Sequence, residues 1–327
     1  STIFDYFIGL KIPNQESDKN KRLLLYCSIL FNLCVLGFFK YYNFFIDSWV
    51  NLLLTFGIKI TNDFNLNIIL PVGISFYTFQ KMSYTIDIYK KKINPTKDFI
   101  SFASFVSFFP QLVAGPIEKA RNLLPQISNE RKFKYEDGII GLRLILWGFF
   151  KKVVIADSLA PIVDDIFLNY NSLDGLTLWL GAIYFSFQIY CDFSGYSSIA
   201  IGTSKLFGIN LMTNFNFPYF SKNIREFWRK WHISLTNWFK EYLYFPLGGS
   251  FYGRWNSLRN TIIIFLLSGL WHGANWTFIL WGLFHSILFL PNFISKPFKK
   301  YDNKTLGKKK ILLSLKEFFQ ILITFML

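Results

Sequence analysis

The chain has 327 residues, 52% of them hydrophobic and 20% aromatic, while only 17% are charged. That balance excludes an ordinary soluble domain and points to an all-α integral membrane protein. The net charge of +15 would suggest nucleic acid on a soluble chain, but here it fits cytoplasmic loops and anionic headgroups, with no compact basic domain to hold nucleic acid.

Residues 22–46 form the first predicted span, preceded by Lys19, Lys21 and Arg22. A short apolar patch from Trp49 to Ile60 is too brief to cross and is expected in the interface. The second span, 65–89, has Pro71 and Gly73 near its start, which kink or break a helix. Residues 99–117 are flanked by basic loops on both sides (Lys90 to Lys92, then Lys119 and Arg121) and are interrupted by Pro110, Gly115 and Pro116. They predict a re-entrant element with irregular backbone buried in protein.

Residues 138–156 read as a further span, followed by a loop carrying Asp157, Asp164, Asp165 and Asp174. Lys151 and Lys152, near the outer end, are the exception to the charge pattern. Residues 176–207 return through QIYCDFSGYSSIAIG, where Gln188, Asp192, Ser194 and Tyr196 either face the bundle interior or accompany close packing at Gly195, Ser198 and Gly202. The positive-inside rule places the regions 88–138, 206–257 and 291–310 in the cytoplasm, the last as a short loop with Lys308, Lys309 and Lys310. The chain begins at Ser1 and stops at Leu327 inside an apolar run, so a single membrane domain over 1–327, truncated at both ends, is expected. Cys27, Cys34 and Cys191 give neither a disulfide framework nor metal-ligand spacing.

All three histidines lie between 216 and 285, among clustered tryptophans. From Arg225 to Tyr242 the apolar positions Phe227, Trp231, Leu235, Trp238 and Tyr242 recur at helical spacing, with Arg225, Arg229, His232, Thr236 and Lys240 on another face. This predicts one interfacial helix. His232 is then either a simple polar-face residue or part of a basic face, with Arg225, Arg229 and Lys240, that attracts an anionic cytosolic ligand such as coenzyme phosphates. His272 stands in an apolar segment beside Ser268, Gly269, Gly273 and Ala274, which leave room for a substrate or for another backbone. An ionisable group there is a functional candidate, and a neutral imidazole suits a general base, although a core histidine bonded to a carbonyl is the alternative. His285 would point away from His272 on a continuous helix and is read as structural. There is no zinc spacing, Walker loop, dinucleotide fingerprint or nucleophile elbow. A base without its own nucleophile fits transfer to a substrate hydroxyl from an activated acyl donor.

The runs FFPQLVAGPI at 108–117, YCDFSGYSSIAIG at 190–202, NFNFPYFSKNIREFWRKWHISLTNWFKEYLYFPLGG at 214–249 and SGLWHGANWTFILWGLFH at 268–285 resemble the membrane-bound O-acyltransferase (MBOAT) family, in particular its alginate O-acetyltransferase-like branch. The resemblance implies a multi-span bundle of tilted helices with re-entrant and interfacial elements around a central cavity, in the bacterial inner membrane. It assigns the catalytic role to His272 of the WHG motif, with His232 as the upstream family histidine. Asp192, Tyr196, Arg225, Arg229, Lys230, Trp271 and Asn275 are the candidate substrate-binding residues. Acetyl-CoA is the implied cytosolic donor and a cell-surface polysaccharide the acceptor, without a metal, reached directly or through an extracytoplasmic acetyltransferase partner. D-alanine transfer to teichoic acid and a non-catalytic scaffold are the alternatives.

Overall fold

A computed structural model describes residues 1–58, 64–294 and 314–327, which contain helices and no strands. After α1 (Thr2–Lys11), α2 (Asp18–Leu36) continues through a π-helical segment, Gly37–Tyr41, into α3 (Tyr42–Thr55). No proline interrupts this run, so Asp18–Thr55 is one helix of 38 residues. Among the described residues it alone is long and apolar enough to cross a membrane by length and composition. Residues from Trp49 to Thr55 therefore continue the first span instead of forming a separate interfacial patch, whose residues 59 and 60 lie outside the described residues.

The span expected over 65–89 is shorter than its apolar pattern. Pro71 and Gly73 confine the helix to α4 (Ile74–Tyr89). Gly73 has φ 74°, and a Cβ there would lie 2.4 Å from the Leu112 carbonyl oxygen, so the turn requires glycine. α5 (Phe99–Val106) starts at Asp98, whose carboxylate accepts the amides of Ile100 and Ser101. The 99–117 segment then breaks into a 3₁₀ turn at Phe109–Gln111 and irregular backbone, with Gln111, Ile117 and Glu118 buried. α6 (Ala120–Ser128) and α7 (Tyr135–Phe149) follow, and a π-helical segment, Phe150–Ala156, leads directly into α8 (Asp157–Leu168). Asp157, Asp164 and Asp165 are thus helical residues, not loop residues. α9 (Gly175–Leu206) follows the predicted 176–207 element closely.

The remaining elements are α10 (Ile224–Lys230), α11 (Ile233–Phe239), α12 (Arg254–His272), α13 (Trp276–Leu288), α14 (Leu290–Ile294) and α15 (Leu315–Met326). The basic loop expected over 291–310 begins as the end of α14, and its lysines lie outside the described residues.

The chain divides into two compact units: Ser1–Asn32 with Val72–Asn214, and Leu33–Pro71 with Phe215–Leu327. The first has an aromatic and aliphatic core that includes Tyr84, Phe102, Phe105, Leu123 and Ile209. It also buries polar groups in pairs. Asp5 accepts from Ser28 at 2.6 Å and from Asn32 at 2.8 Å, with the Lys81 ammonium 3.9 Å away. Lys151, carried by the π-helical segment, donates to the Ser194 carbonyl at 2.8 Å and to the Ser198 hydroxyl at 2.9 Å on α9. These contacts explain a lysine where the charge pattern of the sequence did not call for one.

α7 and α9 approach so closely that a Cβ on Gly148 would lie 2.7 Å from the Gly195 carbonyl oxygen, and one on Gly195 would lie 2.9 Å from that of Gly148. Small residues therefore set this helix pair, as the packing reading of 190–202 allowed. Gly148→Val is expected to destabilise the protein by about 1–3 kcal/mol through overpacking. Gly175→Ala, where a new Cβ meets nothing within 4 Å, should change stability by less than about 0.5 kcal/mol. Thermal unfolding of both variants in detergent checks the contrast, and equal midpoints would contradict it.

Candidate active site

The site is built within the second unit from two interrupted helical stretches. The single interfacial helix expected over Arg225 to Tyr242 is broken at Trp231 and His232, and α10 and α11 lie on either side. At the break the Lys230 carbonyl accepts the Asn216 amide at 3.0 Å, and the Thr236 hydroxyl reaches back to the Trp228 carbonyl at 3.3 Å. His232 itself adopts φ 41° and ψ 55°, a left-handed conformation costing a non-glycine residue on the order of 1–3 kcal/mol. The apolar face faces protein: Leu235, Trp238 and Tyr242 are buried. His232 is only 2% exposed, so it is not a solvated polar-face residue.

The second stretch ends at the WHG motif. α12 runs to His272, Gly273 is extended, and the Asn275 side chain accepts the Thr277 amide at 2.9 Å to start α13. The space beside Gly269 and Gly273 is occupied by α13: a Cβ on either would lie 2.1 Å from Phe278. A Cβ on Gly282 would likewise lie 2.2 Å from the Phe265 carbonyl oxygen. These glycines serve the hairpin, whereas Ser268 borders the cavity.

The two breaks bring His232 and His272 together, with ring centroids 6.4 Å apart. Both line a cavity of about 330 Å³. Its walls include Trp228, Phe265 and Phe289, and its basic groups are Arg225, Arg229 and Lys240. The stripe Arg225, Arg229, His232, Thr236 and Lys240, read from helical spacing, lines this cavity in full despite the break. The Ser234 hydroxyl lies 3.5 Å from His232 Nδ1. Trp271 packs edge-on to both histidine rings, 6.0 Å from His232 and 5.1 Å from His272. His272 has an exposed side chain and meets the edge of Trp281 at 5.4 Å.

Other candidates have different places. Lys230 pairs with Glu226 at 2.8 Å and is not among the cavity residues, where Lys240 stands instead. Trp271 is buried, and Asn275 is a helix cap. Asp192 and Tyr196 belong to the first unit: Asp192 pairs with Lys152 at 2.5 Å, and the Tyr196 hydroxyl is held by the backbone of Val113 and Ala114. His285 does not border the cavity. Because the chain turns between α12 and α13, its ring comes back against Trp281 and Trp228, at 4.7 Å and 5.0 Å. Sequence reasoning gave no site role to Thr261 or Ser257, which line the cavity together with Lys240. Lys240 was legible as a member of the polar stripe; the two hydroxyl residues carry no distinguishing local signal.

Residues 31–324 match the profile of MBOAT, the membrane-bound O-acyltransferase family. The chain is 45% identical over 289 residues to a probable alginate O-acetylase of Azotobacter vinelandii, an alignment covering 87% of this chain and 56% of that protein. It is 42% identical over 313 residues to a peptidoglycan O-acetyltransferase of Helicobacter pylori, covering 88% and 58%. A teichoic acid D-alanyltransferase of Bacillus subtilis is 30% identical over 249 residues, covering 72% and 62%. The chain thus spans little more than half the length of the first two relatives.

The cap assigned to Asn275 has a direct consequence. Asn275→Ala should lower stability by about 1 kcal/mol, while Asn275→Asp, which keeps the accepting oxygen, should stay near the wild-type midpoint. Equal losses in thermal unfolding would show that the side chain does something other than cap α13.

Proposed function

The chain belongs to the membrane-bound O-acyltransferase family, and from that membership we propose that the full-length protein is an O-acetyltransferase acting on a cell-surface polysaccharide. The observation that carries this reading is the pairing of His232 and His272 on one cavity whose other polar groups include Arg225, Arg229 and Lys240. A neutral imidazole beside a cavity with cationic groups suits transfer from a phosphate-bearing thioester to a hydroxyl. We take both units as parts of one family domain, since the family match runs across them, in a multi-pass helix bundle of the bacterial inner membrane.

In this mechanism acetyl-CoA is the donor, and Arg225, Arg229 and Lys240 attract its phosphates. Lys230, paired with Glu226, contributes less directly. His272 Nδ1 or Nε2 takes the acceptor hydroxyl proton as the oxygen attacks the thioester carbonyl carbon. The carbon–sulfur bond then breaks, an ester forms, and the imidazolium returns the proton to the departing thiolate. His232, fixed by its buried position and strained backbone, orients the thioester. Asp192 and Tyr196, in the first unit, are retained as candidate substrate-binding residues, while Trp271 is proposed to wall the site through its contacts with both histidines and Asn275 to shape the WHG turn.

Alginate, peptidoglycan and similar glycans fit as acceptors by the names of the relatives. An extracytoplasmic acetyltransferase partner is proposed to complete delivery. Transfer of D-alanine is the second reading, favoured by the more distant teichoic acid D-alanyltransferases at 30% identity.

The test is base-labile acetate in purified envelope polysaccharides from cells carrying the full-length protein at equal membrane abundance. His272→Ala should reduce it at least about a hundredfold on one polymer, and His232→Ala should also reduce it. Unchanged acetate in every polymer would overturn the assignment.

A further inference from the structure

His272 stands at the C-terminal end of α12, where the supply of intrahelical amide donors runs out and carbonyls need other partners. Two of those carbonyls are met from the long N-terminal helix. The Lys40 ammonium donates to the Trp271 carbonyl, and the Tyr41 hydroxyl donates to the Leu270 carbonyl at 2.8 Å. Both donors sit in the π-helical segment Gly37–Tyr41. Successive side chains on a regular helix point about 100° apart, and the wider turn here lets two neighbours serve two successive carbonyls of one helix end. Such π-bulges recur at functional sites.

The same helix holds the other side of the WHG turn. The Ser48 hydroxyl accepts the Trp276 indole N–H at 3.1 Å, and the Phe44 and Trp276 rings lie 5.6 Å apart. Lys40 also stands 5.6 Å from the Trp271 ring centroid, the indole that touches both His232 and His272. A lysine inside an apolar helix is expensive and calls for a use. Its carbonyl acceptor is one residue before His272, and its cation lies at the negative end of the α12 dipole.

From this geometry we infer that Lys40 and Tyr41 are positioning residues: they hold the last turn of α12 so that the His272 imidazole keeps a fixed place on the cavity wall. The inference rests on the proposed role of His272. Neither residue touches the reacting atoms, so their removal acts on the chemical step through His272 and leaves the donor-binding groups Arg225, Arg229 and Lys240 in place.

The experiment measures base-labile transfer from radiolabelled acetyl-CoA in membrane vesicles containing the full-length protein at matched abundance, with donor concentration varied. Lys40→Met should lower kcat roughly ten- to a hundredfold, the size expected of a small misplacement of a catalytic group, with the donor KM changed by less than about twofold. Lys40→Arg, which retains a cationic donor, should recover most of the rate. Tyr41→Phe should lower kcat in the same direction by a smaller factor. His272→Ala is run alongside. If it remains active, the catalytic reading itself fails. If it is inactive while Lys40→Met and Tyr41→Phe behave as wild type, the positioning inference alone is overturned. A Lys40→Arg variant as slow as Lys40→Met, or a change confined to KM, would also overturn it.

Discussion

A polar group withdrawn from water is costly unless a partner meets it, and this constraint shapes both units. In the first unit Asp5 is surrounded by Ser28, Asn32 and Lys81, and Lys151 is answered by Ser194 and Ser198. In the second, Lys40 and Tyr41 answer the terminal carbonyls of α12. Lys40 and Lys151 are both delivered by π-helical segments, where the regular turn widens. Each of these two lysines thus stands where a neighbouring helix presents acceptors.

The site uses departures from regular helix in the same way. A straight α-helix through Arg225 to Tyr242 would carry His232 on its polar face, turned to solvent. Breaking it at His232 buries that ring yet leaves the basic stripe along the cavity. The second break, after His272, lets α13 return against α12 through glycine contacts and places Trp281 against the rings of both His272 and His285. Two histidines distant in sequence thus come within one cavity wall.

Helix content, the breaks at Pro71 with Gly73 and at Pro110 to Pro116, and the polar stripe from Arg225 to Lys240 were all legible, because they follow from period and from residues that cannot continue a helix. The family was legible from long ordered motifs. Other features were hidden by equally physical causes. Nothing local marks His232 for positive φ, and the bond beside the break, from the Asn216 amide to the Lys230 carbonyl, comes from outside the helical run. The acidic residues of α8 look like a loop because charge pattern reports side chains, not backbone. Asn275 looked like a binding residue beside the WHG motif, but an asparagine before a helical run is equally an N-cap. Lys40 passed as one more residue of an apolar span, although a single cation within such a span is itself a signal.

The central claim is that the cavity bordered by His232 and His272 receives the acyl donor. The most direct measurement is an electron cryomicroscopy structure of the full-length protein with a non-hydrolysable thioether analogue of acetyl-CoA. The account predicts the acyl carbon beside His272 and His232, with the coenzyme phosphates near Arg225, Arg229 and Lys240. An analogue bound outside this cavity, with both imidazoles remote from its acyl group, would contradict it.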